Sequence, residues 1–169
     1  MLFKCNPVDL HFFETAPYLY QFQVEIDAPA DEVFKVFKDW QTWPKWYKGI
    51  RKIEAVGSQL NGLGARRITT MKNGVAADET FYIWEENRRI SFYTTGTNIP
   101  CARSLAELYE LTPLSEEHCR FNYTVGLDPI FPLGLSGQYG KQVAKSVFKD
   151  AAKDLATYMK HHYRTETHV

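Results

Sequence analysis

Glu79 stands two residues before Phe81, and Glu107 stands two before Tyr109. Side chains alternate faces along a strand, so each glutamate shares a face with the aromatic that follows it. On the strand at 76–86 both faces are aromatic, Phe81 and Ile83 on one and Tyr82 and Trp84 on the other; the Phe81 face is taken as inward, as is that of Tyr109. Ile83 extends the first, and Leu105 and Leu111 extend the second. A carboxyl group in apolar surroundings has a raised pKa and can act as a general acid or base. Tyr109 and Tyr123 could donate hydrogen bonds to a ligand carbonyl or stabilise an enolate. The catalytic candidates are therefore Glu79, Glu107 and Tyr109. A one-residue change of strand phase, or a bulge, would turn both glutamates to solvent, where Arg67 or Arg103 could pair with them.

A second cluster is aromatic. Trp40, Trp43, Trp46 and Tyr47 crowd one short stretch. They suit a rim that stacks on a ring-bearing ligand, although core packing accounts for at least one of them. Phe131, Pro132, Leu133 and Leu135 could form an opposite rim beside Gly134 and Gly137.

The elements that carry these residues can be read from periodicity. Residues 19–27 alternate apolar and polar, with Phe22, Val24 and Ile26 on one face. Ala28-Pro29 ends that strand. Val33, Phe34 and Phe37 then recur at helical spacing, and a second short helix is expected around Pro44. Strands follow at 50–58, 63–72, 76–86, 88–96, 103–112 and 118–128. Asn73-Gly74 is a hairpin signal between two of them. The connections are too short for helical crossovers, so neighbours should be antiparallel. Ile90, Phe92 and Thr94 are expected inward on the fifth strand, and Phe121, Tyr123 and Val125 on the seventh. A long amphipathic helix closes the chain near Tyr163, with Val143, Val147, Ala151, Leu155, Tyr158 and Met159 on its apolar side. One curved antiparallel sheet of about seven strands wrapped on that helix satisfies these patterns. The domain should span 19–163, preceded by an irregular extension (1–18) packed on it and followed by a short tail (164–169).

Composition narrows the function. The 169 residues hold 20 Lys+Arg and 20 Asp+Glu, which argues against a nucleic-acid binder. Aromatic residues make up 15%, a high share for a domain of this size. Cys5, Cys101 and Cys119 are odd in number and lack CxxC spacing, so a reducing, cytoplasmic setting is expected. The start lacks a signal-peptide pattern, and no apolar run would cross a membrane. No spacing of His and Cys suggests a metal, and no cofactor motif is present, so neither is expected.

In its order and in four motifs the sequence resembles the START-like, or SRPBCC, superfamily and its polyketide cyclase/dehydrase branch. The motifs are Ala28-Pro29-Ala30-Asp31-Glu32-Val33-Phe34, Asp39-Trp40 with Pro44-Lys45-Trp46-Tyr47, Asn61-Gly62-Leu63-Gly64-Ala65-Arg66, and Glu86-Asn87-Arg88-Arg89-Ile90-Ser91-Phe92. The resemblance covers roughly residues 19–163. It implies the α+β helix-grip fold and a cavity between sheet and helix for an apolar or aromatic small molecule. It also singles out Trp46 as the pocket-facing tryptophan. The ligand-binding candidates are then Trp43, Trp46, Phe81, Phe92, Thr94, Tyr109, Tyr123, Phe131, Val147 and Ala151. Three functions compete: a carrier of a lipid-, polyketide- or quinone-like molecule, a cyclase or dehydratase using a cavity Glu and Tyr, and a protein-interaction module of chaperone-activator or ribosome-associated type. The expected partner is a small apolar ligand, on a monomer or homodimer without nucleic-acid or integral-membrane contact.

Overall fold

The structure, a computed structural model, describes residues 2–130 and 137–166. In chain order the elements are β1 (Phe3–Lys4), α1 (Phe12–Thr15), β2 (Tyr18–Ile26), α2 (Ala30–Lys38), α3 (Trp43–Trp46), β3 (Ile50–Val56), β4 (Arg66–Met71), β5 (Ala76–Glu85), β6 (Arg89–Thr97), β7 (Ala102–Pro113), β8 (Cys119–Pro129), α4 (Gly137–Phe148) and α5 (Ala151–Glu166). The main sheet runs β2-β8-β7-β6-β5-β4-β3, with each pair antiparallel. This is the α+β architecture expected from the short connections and the terminal helix.

The β4–β5 turn sets the register that matters most for the interior. Gly74 adopts φ +89°, a conformation open to glycine, and the Asn73 side chain accepts a hydrogen bond from the Val75 N–H at 3.1 Å. Counting back from this turn places Arg67 directly opposite Glu79. Beyond it, Phe81 faces Phe92, Phe92 faces Glu107, and Tyr109 faces Tyr123. These residues form one continuous inward row across five strands.

The phase of β5 changes within the strand. A register shift between Phe81 and Ile83 leaves Tyr82 as an extra residue and pairs Trp84 with Ile90. Trp84 therefore packs edge-on against Phe34 and Phe81, while Ile83, expected inward, does not join the core. Alternation carries the inward face only as far as the bulge.

The C-terminal helix comes in two segments, α4 and α5, which meet at Lys149-Asp150. Ala144, Phe148, Ala151, Ala152, Leu155 and Met159 are its buried side. Phe148 stacks on Tyr20 of β2, and α5 packs on β2 and β8 and against α3.

The first seventeen residues, expected to be irregular, contain two short elements. β1 pairs with the end of β6, Phe3 opposite Thr97. The chain then threads between β6 and β7: the Cys5 N–H donates to Thr95 O at 2.9 Å, and the Asn6 N–H donates to Arg103 O at 2.7 Å. α1 lies over β8, where the Phe12 ring rests on Gly126. A Cβ at that glycine would come within 2.9 Å of the ring. The glycine is thus a seat for an aromatic from the extension.

Gly126→Val should push Phe12 off the sheet and cost about 1–3 kcal/mol, the usual range for an overpacked site. In urea denaturation, the Gly126→Val/Phe12→Ala double variant should lose less stability in total than the two single losses combined. Strict additivity would separate the two residues.

Candidate functional site

A cavity of about 440 Å³ lies between the sheet and α4. Tyr18, Leu105, Leu127 and Phe92 line the sheet side, Trp43 and Tyr47 close one end, and Val143, Ala144, Val147 and Phe148 form the helical wall. Val143 and Val147 also remain exposed to solvent. Arg67, Glu79, Glu107 and Tyr109 reach this lining from the inward row, and Thr69, Asn73 and Thr97 add further polar side chains.

The first polar group is a buried ion pair. Arg67 Nε donates to Glu79 Oε2 at 2.7 Å, and Thr69 Oγ1 donates to the same oxygen at 2.9 Å. Arg67 is 1% exposed and Glu79 5%. A charge removed from water to this degree needs compensation. Glu79 supplies the counter-charge, and aromatic rings supply the rest. The guanidinium carbon lies 3.9 Å from the Trp43 ring centroid, 4.6 Å from Phe92, 4.9 Å from Phe81 and 5.6 Å from Trp40. A guanidinium is planar and weakly hydrated, so it stacks where an ammonium would not. Its Nη1 is buried without a hydrogen-bond partner among the described residues.

The second polar group is a carboxyl held by two phenols. Tyr123 Oη donates to Glu107 Oε2 at 2.7 Å, and Tyr109 Oη donates to it at 3.1 Å. Burial pushes the Glu107 carboxyl up to about 7, with the Glu79 charge adding to the rise. The phenol hydrogen bonds and the Arg67 charge act the other way. Burial also pushes the Tyr109 and Tyr123 phenols well above their ordinary value, so both stay protonated donors. Tyr47, beside them, moves in the same direction for the same reason.

The structure separates the sequence candidates. Glu79, Glu107, Tyr109, Trp43, Phe92 and Val147 line the cavity. Trp46, favoured as the pocket-facing tryptophan, does not. It is buried against Phe37, Trp43 and Tyr47, while Trp43 stacks on Tyr109 at 5.6 Å and faces the cavity. Phe81 lies under Trp40 and beside Arg67, and Tyr123 stands behind Glu107. Thr94 and Ala151 are buried away from the lining. Phe131, with Pro132, Leu133 and Leu135, lies outside the described residues. Glu79 does pair with Arg67, but inside the protein rather than on the solvent face, because both residues point inward. Arg103 instead meets Asp128 at 3.3 Å.

Sequence reasoning placed Arg67 only on the solvent face and did not find Thr69. β4 reads Arg-Arg-Ile-Thr-Thr-Met, which has no apolar alternation from which to take a phase. The available signal was the Asn73-Gly74 turn, since counting back from it puts Arg67 across from Glu79. Among the described residues no group of three or more His, Cys, Asp or Glu could hold a metal, the cysteines are free thiols, and no helix is long and apolar enough to cross a membrane.

An antiparallel sheet closed over a cavity by a C-terminal helix is the START-like, helix-grip architecture. A START superfamily protein from Mycobacterium smegmatis superposes with a TM-score of 0.74 at 15% identity, over 85% of this chain and 98% of that one. The Zhui aromatase/cyclase from Streptomyces sp. R1128 gives 0.74 at 13% identity, over 89% and 98%. Residues 20–160 match the family described as polyketide cyclase / dehydrase and lipid transport, and the chain belongs to that family. An uncharacterized protein of Mycobacterium tuberculosis is 32% identical over 124 residues, 73% of this chain and 74% of the relative.

Two predictions follow from the polar groups. Glu79→Gln should leave Arg67 buried without a counter-charge and cost about 3–5 kcal/mol in urea denaturation, whereas Arg67→Met with Glu79→Leu should recover most of that loss. Equal losses in the single and double variants would show that the pair is not an isolated electrostatic unit. The second concerns pH. Glu107 binds its proton more tightly folded than unfolded, so its contribution is fully present below about pH 4.5 and is lost as pH rises to about 7. The loss should be about 3 kcal/mol. Glu107→Gln should flatten this part of the stability profile, measured by denaturation at pH 5 and pH 7.5. An unchanged slope would assign the pH dependence to other groups.

Proposed function

We propose that this protein binds an apolar or aromatic small molecule, of lipid, polyketide or quinone type, in the cavity between the sheet and α4. The observation that carries this reading is the cavity itself. It is of ligand size, its lining is largely aliphatic and aromatic, and its charged groups, Arg67, Glu79 and Glu107, come from neighbouring strands of the sheet. A plain core of this composition would collapse onto such a volume, because unfilled apolar space forfeits dispersion contacts. The family's description, which names both cyclase/dehydrase and lipid transport members, is consistent with this use of the space.

One observation favours a second reading, that of a cyclase or dehydratase. Glu107 sits in the lining with its carboxyl pushed up to about 7, where a group can both give and take a proton. Tyr109 would supply the neighbouring hydrogen bond. Glu79 is the weaker acid/base candidate, because Arg67 and Thr69 already occupy one of its oxygens.

Trp43 gives the test a built-in reporter. Adding a naphthalene- or quinone-type probe should quench tryptophan emission, and a Trp43→Phe variant should lose most of that response. Native mass spectrometry should show one bound molecule. A probe recovered with its mass unchanged supports the binding role, whereas loss of water from a bound β-hydroxy ketone supports the dehydratase. Absence of any bound species across these probes would overturn both readings.

A further inference from the structure

The charges in the lining do not balance, and the imbalance bears on what the cavity can accept. Arg67 is the one cationic side chain in the lining among the described residues, and it faces two carboxyl groups, Glu79 and Glu107. Its Nε is committed to Glu79, and its planar head lies among Trp43, Phe92, Phe81 and Trp40. Nη1 is buried and has no hydrogen-bond partner among the described residues. The α4 wall adds Val143, Ala144, Val147 and Phe148, so it brings no charge. Glu79 already balances the Arg67 charge, so an anionic guest would bring a net negative charge to a lining that has no second cation among the described residues. Ion burial without a partner is strongly unfavourable.

Glu107 has the complementary property. Both phenols donate to the same oxygen, Oε2, while Oε1 has no hydrogen-bond partner among the described residues. An oxygen that already accepts two hydrogen bonds is a poor place for the acid proton. When Glu107 is neutral, the proton therefore belongs on Oε1, where it can be donated to an occupant.

We propose that the cavity selects an uncharged amphiphile whose oxygen, as in a ketone, ester or quinone, accepts a hydrogen bond from Oε1–H of Glu107, and that carboxylates are rejected. This inference rests on the ligand-binding reading above and specifies its chemical class. Binding is then linked to protonation. A guest that displaces water from around Glu107 favours the neutral acid further, so the complex takes up a proton from solvent. The groups facing Glu107 from the packed elements are Arg67 on β4, Glu79 on β5, Tyr109 on its own strand, Tyr123 on β8 and Tyr47 after α3. Burial already brings Glu107 up to about 7, which puts this linkage near neutrality. The arginine opposes protonation and Glu79 favours it, while the phenols stay protonated.

The experiment compares three probes with one ring system: 2-acetylnaphthalene, 2-naphthoate and protonated 2-naphthylmethylamine. Titration calorimetry of the unaltered protein at pH 6 and pH 8.5 reads affinity. Two buffers of different ionisation enthalpy read proton uptake. The ketone should bind at least tenfold more tightly than the carboxylate at pH 8.5, should weaken at least tenfold from pH 6 to pH 8.5, and should take up protons on binding. Glu107→Gln should remove the proton uptake. Equal or tighter binding of the carboxylate, preference for the amine, or ketone binding without proton uptake would each overturn the inference while leaving ligand binding standing. Failure of all three probes to bind at either pH would overturn the ligand-binding reading, and this inference with it.

Discussion

A guanidinium sits inside this protein, and much of the interior is arranged around it. Arg67 is almost fully covered, so its positive charge must be met by protein groups instead of water. Glu79 meets it directly across the β4–β5 ladder. Trp43, Phe81 and Phe92 meet its faces, and Trp40 covers Phe81 in turn. The requirement reaches into the backbone. A one-residue slip of the hairpin would send Arg67 and Glu79 to the other face together, exposing both and leaving the rings without their cation. The turn at Asn73-Gly74, the register of β4 on β5 and the placement of α3 are thus mutually dependent.

The two inward glutamates show how one residue type takes on two characters. Glu79 has an arginine and a threonine on one oxygen and works as a fixed counter-ion. Glu107 is given only phenols, which are neutral donors, and its burial leaves the charged form costly. The difference comes from register alone. Strand pairing puts Arg67 opposite Glu79 and puts Phe92 opposite Glu107.

Much of the fold could be read from the sequence because its signals are local. The alternation in residues 19–27, the Asn73-Gly74 turn and the terminal amphipathic helix each report their own geometry. The inward placement of Phe92, Tyr109 and Tyr123 followed from alternation along uninterrupted strands. Where one extra residue enters, at Tyr82, two aromatic faces leave the phase open, and Ile83 and Trp84 exchange faces. Arg67 was hidden for a different reason. A strand of arginines and threonines has no apolar face of its own, and its direction is imposed by the partner strand. Trp43 and Trp46 are three residues apart on one helical turn, so spacing could not choose between them. Their contacts with Tyr109 and Tyr47 do. The β1 pairing with β6 is equally non-local, joining Phe3 to Thr97.

That last arrangement bears on the order in which the chain can assemble. β2 borders β8, with Tyr18 opposite Leu127, and residues 3–6 thread between β6 and β7. The segments synthesised first therefore have partners that are synthesised much later. Closing such long loops costs entropy before the contacts formed repay it, which slows topologies rich in distant pairings. The β3-to-β7 meander can form between neighbours along the chain, whereas the N-terminal strands must wait for it. The wall beside the cavity is consequently sealed by segments far upstream of their partners, at a late stage of folding.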